Sequence, residues 1–565
     1  MSRLDDVLRF ETLRNELQTV ADEIAVRLAR SSFSPVIRDY LDFSTALCDR
    51  DGRLVAQGFS LPLHLGSIPR ALEAVRARFG DGLDPGDLVV LNDPYAGGMH
   101  LPDVFAVAPA HLRGRLVGYA VVVAHHADVG GRVPGGSAAD SREIFEEGIR
   151  VPPVRLSERG RTNEALAAVL AANVRLPETL LADLDAQRAS CEAAAGELAC
   201  LVERVGPAAF DEAVEAILAH SRRSLEATIA TWPAGRYEFE DVEDHDGLEE
   251  RPVPIRVLVE VGDGRLRFDF SGTAPQVRGS INATRSFTES ACYAAVRALC
   301  AEEIPVNAGF CSLIEVEAPP GTVVNASFPA GVAARGVIGY RVIEAIFGAL
   351  ADALPGRVPA AGDGGTSGIR IGGYTADGRR FQLNDLVCGA WGARPDRDGL
   401  DGAAALAANV ANRPVEVLER EDPVRVLHYG FVPDTGGPGR FRGGLALRRT
   451  LELLAPAGTL NLRTHRNATP PYGLSGGHSG STSRTVLYRR GGARELPAKV
   501  TMPLEAGDVI EHTTASGGGF GDPRQRAREA VLADVADGKV SPEAARLVYG
   551  LDDPRPDGRD SREGA

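Results

Sequence analysis

The apolar residues of this chain change their spacing several times along its length, and that switching limits the folds open to it. Residues 5–31 carry Leu13, Leu17, Val20, Ile24 and Leu28 at helical spacing, which predicts one long opening helix. From 32 to about 155 the pattern turns to short apolar runs broken by Gly, Pro and Asp. LVVLNDP (88–94) and LVGYAVVVA (116–124) are examples, and they read as strands that end in loops. An alanine- and leucine-rich helical pattern returns over 163–231, and strands resume near Tyr237 in RYEFEDV, PIRVLVEV and LRFDFSG. Residues 289–301 and 340–354 read as helices, and 384–522 as glycine-dense short strands and turns. Ser541-Pro542-Glu543 places an N-cap before a proline and so starts a last helix. After Leu551, DDPRPDGRDSREGA reads as a disordered tail. The expected class is α+β in several connected parts, divided at 1–235, 236–383, 384–524, 525–551 and 552–565.

Several function classes are excluded at this stage. A length of 565 residues exceeds one ordinary domain, and 44% hydrophobic content is that of a globular chain. The longest apolar run, 116–124, is about half of the ~18 residues a membrane span requires. The N-terminal MSRLDDVLRFETLRNELQ lacks the apolar core of a signal peptide. Seven cysteines are scattered with no Cys-x-x-Cys, which argues against a disulfide framework or zinc knuckle and predicts a cytoplasmic chain. A formal charge of −15 with no basic cluster speaks against nucleic acid. Only Lys499 and Lys539 are lysines, and each is followed by Val, so no Gly-Lys-Ser/Thr loop is present to bind nucleotide.

The richest chemistry lies in NDPYAGGMHLPD (92–103) and AHHADVGG (124–131). His100 and Asp103 share a glycine-rich turn, and His125 and His126 follow directly on an apolar strand. Two imidazoles and a carboxylate converging there form a mixed N/O set suited to Zn, Mn or Fe, whereas a lone His-x-x-Asp is more often a capped turn. In RDYLDFSTALCD (38–49), Asp39, Asp42 and Asp49 are further ligand candidates or turn residues. His64 in LPLHLGS reads as a satisfied core histidine. Asn173, Arg175, Asp183 and Gln187 read as ties between loops. The glycine clusters DTGGPGRFRGG (434–444) and SGGGFGDP (516–523) lack a strand–GxGxxG–helix setting, so they read as turns and close packing.

Taken together, these segments resemble the hydantoinase B family, the B-type chains of ATP-dependent hydantoinases and 5-oxoprolinases, to which acetone and acetophenone carboxylase subunits are related. RDYLDFSTALCD, LPLHLGSI, NDPYAGGMHLPDV, AHHADVGG, EIFEEGIRVPP, NVRLPE with DLDAQ, DFSGTAPQVRGSINAT, IPVNAGF, RPVEVLE, GRFRGGLALRR and GGGFGDP carry the resemblance over about residues 5–550. It implies a hydantoinase B-type fold with a metal-binding N-terminal half and a Gly-rich, strand-rich C-terminal half. It implies one divalent metal ion (Zn, Mn or Fe) on Asp42, His100, Asp103 and His125. His126 and Asp128 would then be catalytic neighbours that orient a ligand or the bound water.

The implied activity is that of a hydrolase acting on the C–N bond of a hydantoin, 5-oxoproline or lactam. An A-type partner chain would bind ATP and phosphorylate the substrate, and metal-bound hydroxide would attack the activated carbonyl within a hetero-oligomer. A carboxylase subunit and a non-catalytic assembly subunit are the alternatives. The sequence departs from the family pattern at 334–345, at 383–393, at 407–409 and at Met99, where Thr is usual.

Overall fold

The computed structural model describes residues 3–551 except 81, 302 and 409, so the segment 552–565 read as a tail lies outside the described residues. The chain divides into two compact units, Met1–Phe239 with Ile255–Ile346, and Glu240–Pro254 with Phe347–Ala565. The line drawn at 383/384 from glycine density runs through a strand, Arg380–Val387, and the expected central part 236–383 is shared between the units. Apolar alternation marks a strand but not the sheet it joins.

The first unit is built on a seven-stranded sheet of β1 (Phe43–Asp49), β2 (Leu54–Ser60), β3 (Leu88–Leu91), β4 (Asp103–Leu112), β5 (Arg115–His125), β6 (Val154–Glu158) and β7 (Arg161–Thr162). Its order is β2-β1-β5-β4-β3-β6-β7, antiparallel throughout. The helices that matter for the site are α1 (Arg3–Ser31), α2 (Ser67–Phe79), α3 (Pro177–Val205) and α4 (Arg285–Leu299).

The apolar stripe of α1 (Leu13, Leu17, Ile24, Leu28) and that of α3 (Leu184, Cys191, Leu198) meet one face of β4 and β5, formed by Ala106, Ala108, Val122 and Ala124. Phe105, Val107, Val121 and Val123 point to the other face and are equally buried. A strand buried on both faces must be apolar on both, which is why 116–124 reads as an unbroken hydrophobic run. A second sheet, β8 (Gly235–Glu243), β9 (Val253–Gly262), β10 (Arg265–Asp269) and β11 (Ile314–Glu317), has the order β11-β10-β9-β8.

In the second unit β12 (Ser367–Tyr374), β13 (Arg380–Val387), β14 (Val424–Phe431), β15 (Leu447–Leu453), β16 (Ala457–Arg463), β17 (Arg484–Arg489), β18 (Gly492–Glu495), β19 (Lys499–Glu505) and β20 (Val509–Thr513) form two sheets. Their orders are β13-β12-β16-β19 and β14-β15-β20-β17-β18. Ile369, Ile371, Leu460 and Leu462 of one share a core with Leu447, Leu451, Leu487 and Ile510 of the other. The buried Arg449–Asp385 pair, at 2.8 Å, lies between them. One of the two lysines, Lys499, is buried against Glu243 at 2.7 Å. The last helix, Pro542–Leu547, is capped by Ser541, whose hydroxyl accepts from Ala544 N as the sequence predicts.

The glycine clusters are a packing device. Gly437 N donates to Gly517 O, Gly517 N to Gly444 O, and Gly519 N to His478 O, so three glycine-rich segments run at backbone contact distance. A Cβ on Gly443 would sit 2.0 Å from the Gly517 carbonyl oxygen, and one on Gly517 would sit 2.0 Å from that of Trp391. Gly443→Ala should therefore cost about 1–3 kcal/mol or more through overpacking. Gly356→Ala, whose Cβ would meet nothing within 4 Å, should be near neutral. Denaturant unfolding of the two variants checks this, and equal stabilities would contradict the packing account.

Candidate metal centre

Three neighbouring strand ends bring the site together. In the antiparallel register Asp103 of β4 lies opposite His125 of β5, and Phe43 of β1 lies opposite Ala124, which places Asp42 opposite His125. His125 N donates to Asp42 O at 3.0 Å, continuing that ladder. Directly opposed residues share a face, so Asp42, His125 and Asp103 form one row on the face turned away from α1 and α3.

His100 joins the row from the glycine-rich turn before β4. Gly97 has φ +94°, and a Cβ there would lie 2.4 Å from Arg70 C, so the turn needs glycine. Asn92 holds the turn by donating to Leu101 O and Ile149 O, and the Ser286 hydroxyl donates to Gly98 O at 2.7 Å.

His100, Asp103 and His125 are buried and offer ligand atoms within 4.8 Å of one another. The Asp42 carboxylate lies outside that tight cluster, although its backbone pairs with His125. Within the cluster, His100 Nδ1 lies 3.0 Å from Ala333 O, an acceptor only, so Nδ1 carries the proton. His100 Nε2 faces Asp103 Oδ1 at 3.1 Å. Burial and the nearby Arg335 guanidinium push His100 down to about 4. Burial alone would raise Asp103, but Arg335 and His100 hold it well below the usual carboxylate range. A neutral imidazole lone pair and a carboxylate oxygen thus confront each other, an arrangement that a cation between them satisfies. The donor set of two imidazoles and a carboxylate fits a first-row divalent ion, with the other nitrogen of His100 fixed by a backbone carbonyl.

Arg335 completes the surroundings. It donates to Asp103 Oδ2, and its guanidinium lies 4.6 Å from the centre of the Phe287 ring on α4.

The family model described as hydantoinase B/oxoprolinase matches residues 6–523. The chain belongs to that family. It is 30% identical to the B chain of a putative D-/L-hydantoinase of Pseudomonas sp. (strain NS671), covering 97% of this chain and 95% of that one. It is also 30% identical to the beta chain of the caprolactamase of Pseudomonas jessenii, over 97% and 96%. The crystal structure of ATP-dependent caprolactamase from that organism superposes with a TM-score of 0.90 at 28% identity, covering 96% of each chain. A nucleotide-free acetone carboxylase structure shares the fold, with a TM-score of 0.89 at 18% identity over 97% of this chain and 80% of that one.

The remaining residues singled out in this hydantoinase B-family sequence fall elsewhere. His126, one residue beyond His125, turns to the opposite face of the sheet. Its Nε2 lies 2.7 Å from Gln187 Oε1 on α3, and Gln187 donates in turn to Val104 O. The two-residue period of an extended chain thus places His126, expected beside the cluster, on the face opposite to it. Asp128 is held by loops: its Oδ2 accepts from Arg175 N and Gly130 N, and its Oδ1 from the Arg175 side chain at 3.1 Å. It clamps the loops around Gly130 and Arg175 together. Asp49 accepts from Asp51 N and Arg53 N as a turn residue, and Asp183 accepts from Phe33 N and Ser34 N. Asp39 pairs with Arg38.

Sequence reasoning alone does not reach Arg335 or Glu147. Arg335 sits in the segment that departs from the family pattern, and Glu147 in a loop with no period to reveal its burial. Glu147 Oε1 accepts from Val332 N at 2.7 Å and from Ala333 N at 3.0 Å, which fixes the same Ala333 that holds His100. Its Oε2 is buried without a hydrogen-bond partner among the described residues.

Burial pushes the Glu147 carboxyl up to about 8. The folded chain therefore keeps this proton over a range where the unfolded chain has lost it, and stability falls as pH rises from about 4.5 towards 8. Glu147→Gln, which keeps the accepting oxygen, should remove that part of the slope. It should stabilise the chain near the upper end of that range while doing little below its lower end. Denaturant midpoints at the two extremes check this.

Proposed function

We propose that this chain is the B-type subunit of an ATP-dependent cyclic-amide hydrolase, acting on a hydantoin, 5-oxoproline or lactam whose carbonyl oxygen is phosphorylated by an A-type partner. The observation that carries the reading is the buried His100–Asp103–His125 cluster in a chain that matches a hydantoinase B chain and a caprolactamase beta chain end to end. It also matches 5-oxoprolinase 1 of Arabidopsis thaliana at 28% identity over 42% of that longer protein's length. One divalent ion, Zn, Mn or Fe, would be held by His100, Asp103 and His125 with Asp42 beside them. Such an ion supplies Lewis acidity and lowers the pKa of water from 15.7 towards ~7, giving a nucleophile at neutral pH.

The protein's own residues prepare that chemistry. Ala333 fixes His100 with Nε2 directed at the cluster, and Arg335 balances the charge of Asp103 and orients its carboxylate. Burial of all three ligands excludes bulk water, which strengthens every charge interaction within the site. An unstrained amide resists attack, so prior phosphorylation supplies the leaving group. A chain with no Gly-Lys-Ser/Thr loop takes that step from its partner, within a hetero-oligomer. Seven free cysteines support a cytoplasmic setting. No described helix is long and apolar enough to cross a membrane.

His100→Ala, Asp103→Ala and His125→Ala should each abolish bound metal, measured by elemental analysis. Unchanged metal in all three would sink the assignment. Co-expressed with its A-type partner, the chain should consume ATP in the presence of a cyclic amide irrespective of bicarbonate, and it should show only background ATPase alone. Turnover of a ketone only with bicarbonate would make it a carboxylase subunit. Partner turnover that persists in the three variants would make it an assembly subunit.

A further inference from the structure

We propose that His64 is a catalytic residue of this site, presenting its Nε2–H as a hydrogen-bond donor to an oxygen of the substrate beside the His100–Asp103–His125 cluster. The inference rests on the hydrolase reading for the identity of the substrate, and on geometry for the donor.

His64 lies in the short turn Pro62–His64 and is 1% exposed. Its Nδ1 lies 2.9 Å from the hydroxyl of Ser44. Ser44 is on β1, opposite Val123, which is itself two residues before His125. Ser44 therefore shares the sheet face of Asp42, His125 and Asp103 and sits one row along from them.

The Ser44 hydroxyl also accepts from Leu61 N at 2.9 Å. Among the described residues, Nδ1 of His64 is the only hydrogen-bond acceptor for its proton. The hydroxyl proton goes to Nδ1, and the ring's own proton is left on Nε2. Nε2 has no hydrogen-bond partner among the described residues. Its ring is close enough to the cluster that Asp103, Arg335 and His100 all act on it electrostatically.

The turn that carries the ring is fixed from outside the sheet. Gly66 N donates to the Ser290 hydroxyl on α4 at 2.8 Å, and a Cβ on Gly66 would lie 2.8 Å from Ser290 N. The same helix carries Ser286, which holds the His100 turn, and Phe287, which lies under Arg335. A buried imidazole with one nitrogen pinned and the opposite N–H free beside a ligand cluster is a preorganised donor, the kind of group that stabilises charge developing on a carbonyl or phosphoryl oxygen.

The test has two arms. In the first, 15N–1H correlation spectra of the histidine-labelled full chain, assigned with His64→Gln, should show His64 as a neutral Nε2–H tautomer. A proton on Nδ1 would overturn the proposal whatever the enzyme's substrate. In the second arm, the complex with the A-type partner is assayed with His64→Met, His64→Gln and Ser44→Ala. His64→Met should lower kcat about 10²-fold, with KM and metal content unchanged. His64→Gln, which restores an N–H near the same place, should recover at least about tenfold of that loss, and Ser44→Ala should fall between. Wild-type kcat in His64→Met would overturn the proposal, as would loss of metal together with activity. If the wild-type complex turns over a ketone with bicarbonate instead of a cyclic amide, the hydrolase reading fails. The variant-to-wild-type ratio on the ketone then decides His64 independently.

Discussion

A single fully buried carboxylate governs the architecture of the first unit. Asp103 is ionised at 0% exposure, a state that costs several kcal/mol unless its charge is met by close partners. Arg335, more than two hundred residues away in sequence, meets one oxygen, and His100 faces the other. Arg335 is in turn held over Phe287, while Ser286 and Ser290 of the same helix fix the turns that carry His100 and His64. One helix thus collects the glycine-rich turn, the Pro62–His64 turn and the guanidinium around one negative charge.

Around that centre, several buried polar side chains serve backbone groups. Buried N–H and C=O groups in loops must find partners, and here they find them in side chains. Asn92 satisfies Leu101, Ile149 and Val151, and Glu147 satisfies Val332 and Ala333. Asp128 and Arg175 bind residues 128–131 and 175 to each other, and Asp183 takes two N–H groups at the end of α1. These residues are loop constraints that hold His100, Asp103 and His125 where the strand ends put them.

This division of labour decides what is visible in the sequence. The long helices, the strand runs and the capped last helix follow from local period and end signals, and all are present. His100, Asp103 and His125 are legible because a spaced motif and a strand end both point to them. His126 turns to the other sheet face and Asp128 is engaged by loop residues, because proximity in sequence does not fix where a side chain points. Arg335 and the surroundings of His64 are invisible because each depends on a partner brought by another element. Glycine density reads as packing, since only missing Cβ atoms allow carbonyls at the approach that Gly443 and Gly517 show.

The charge balance of the centre bears on the kind of substrate it can accept. Asp103 and Arg335 cancel, and an imidazole that ligates a metal ion does so uncharged, so the tight cluster adds little net charge of its own to a bound ion. On the proposed reading, a divalent ion there leaves the site with a net positive charge that Asp42, at the end of the row, offsets only in part. A positive, water-poor site favours an oxygen that bears or develops negative charge, and it disfavours a free cationic amine. A phosphorylated carbonyl carries such charge already in the ground state, whereas an unmodified cyclic amide develops it only on attack. On the proposed reading, the electrostatics of these few side chains favour a substrate that reaches the site already phosphorylated.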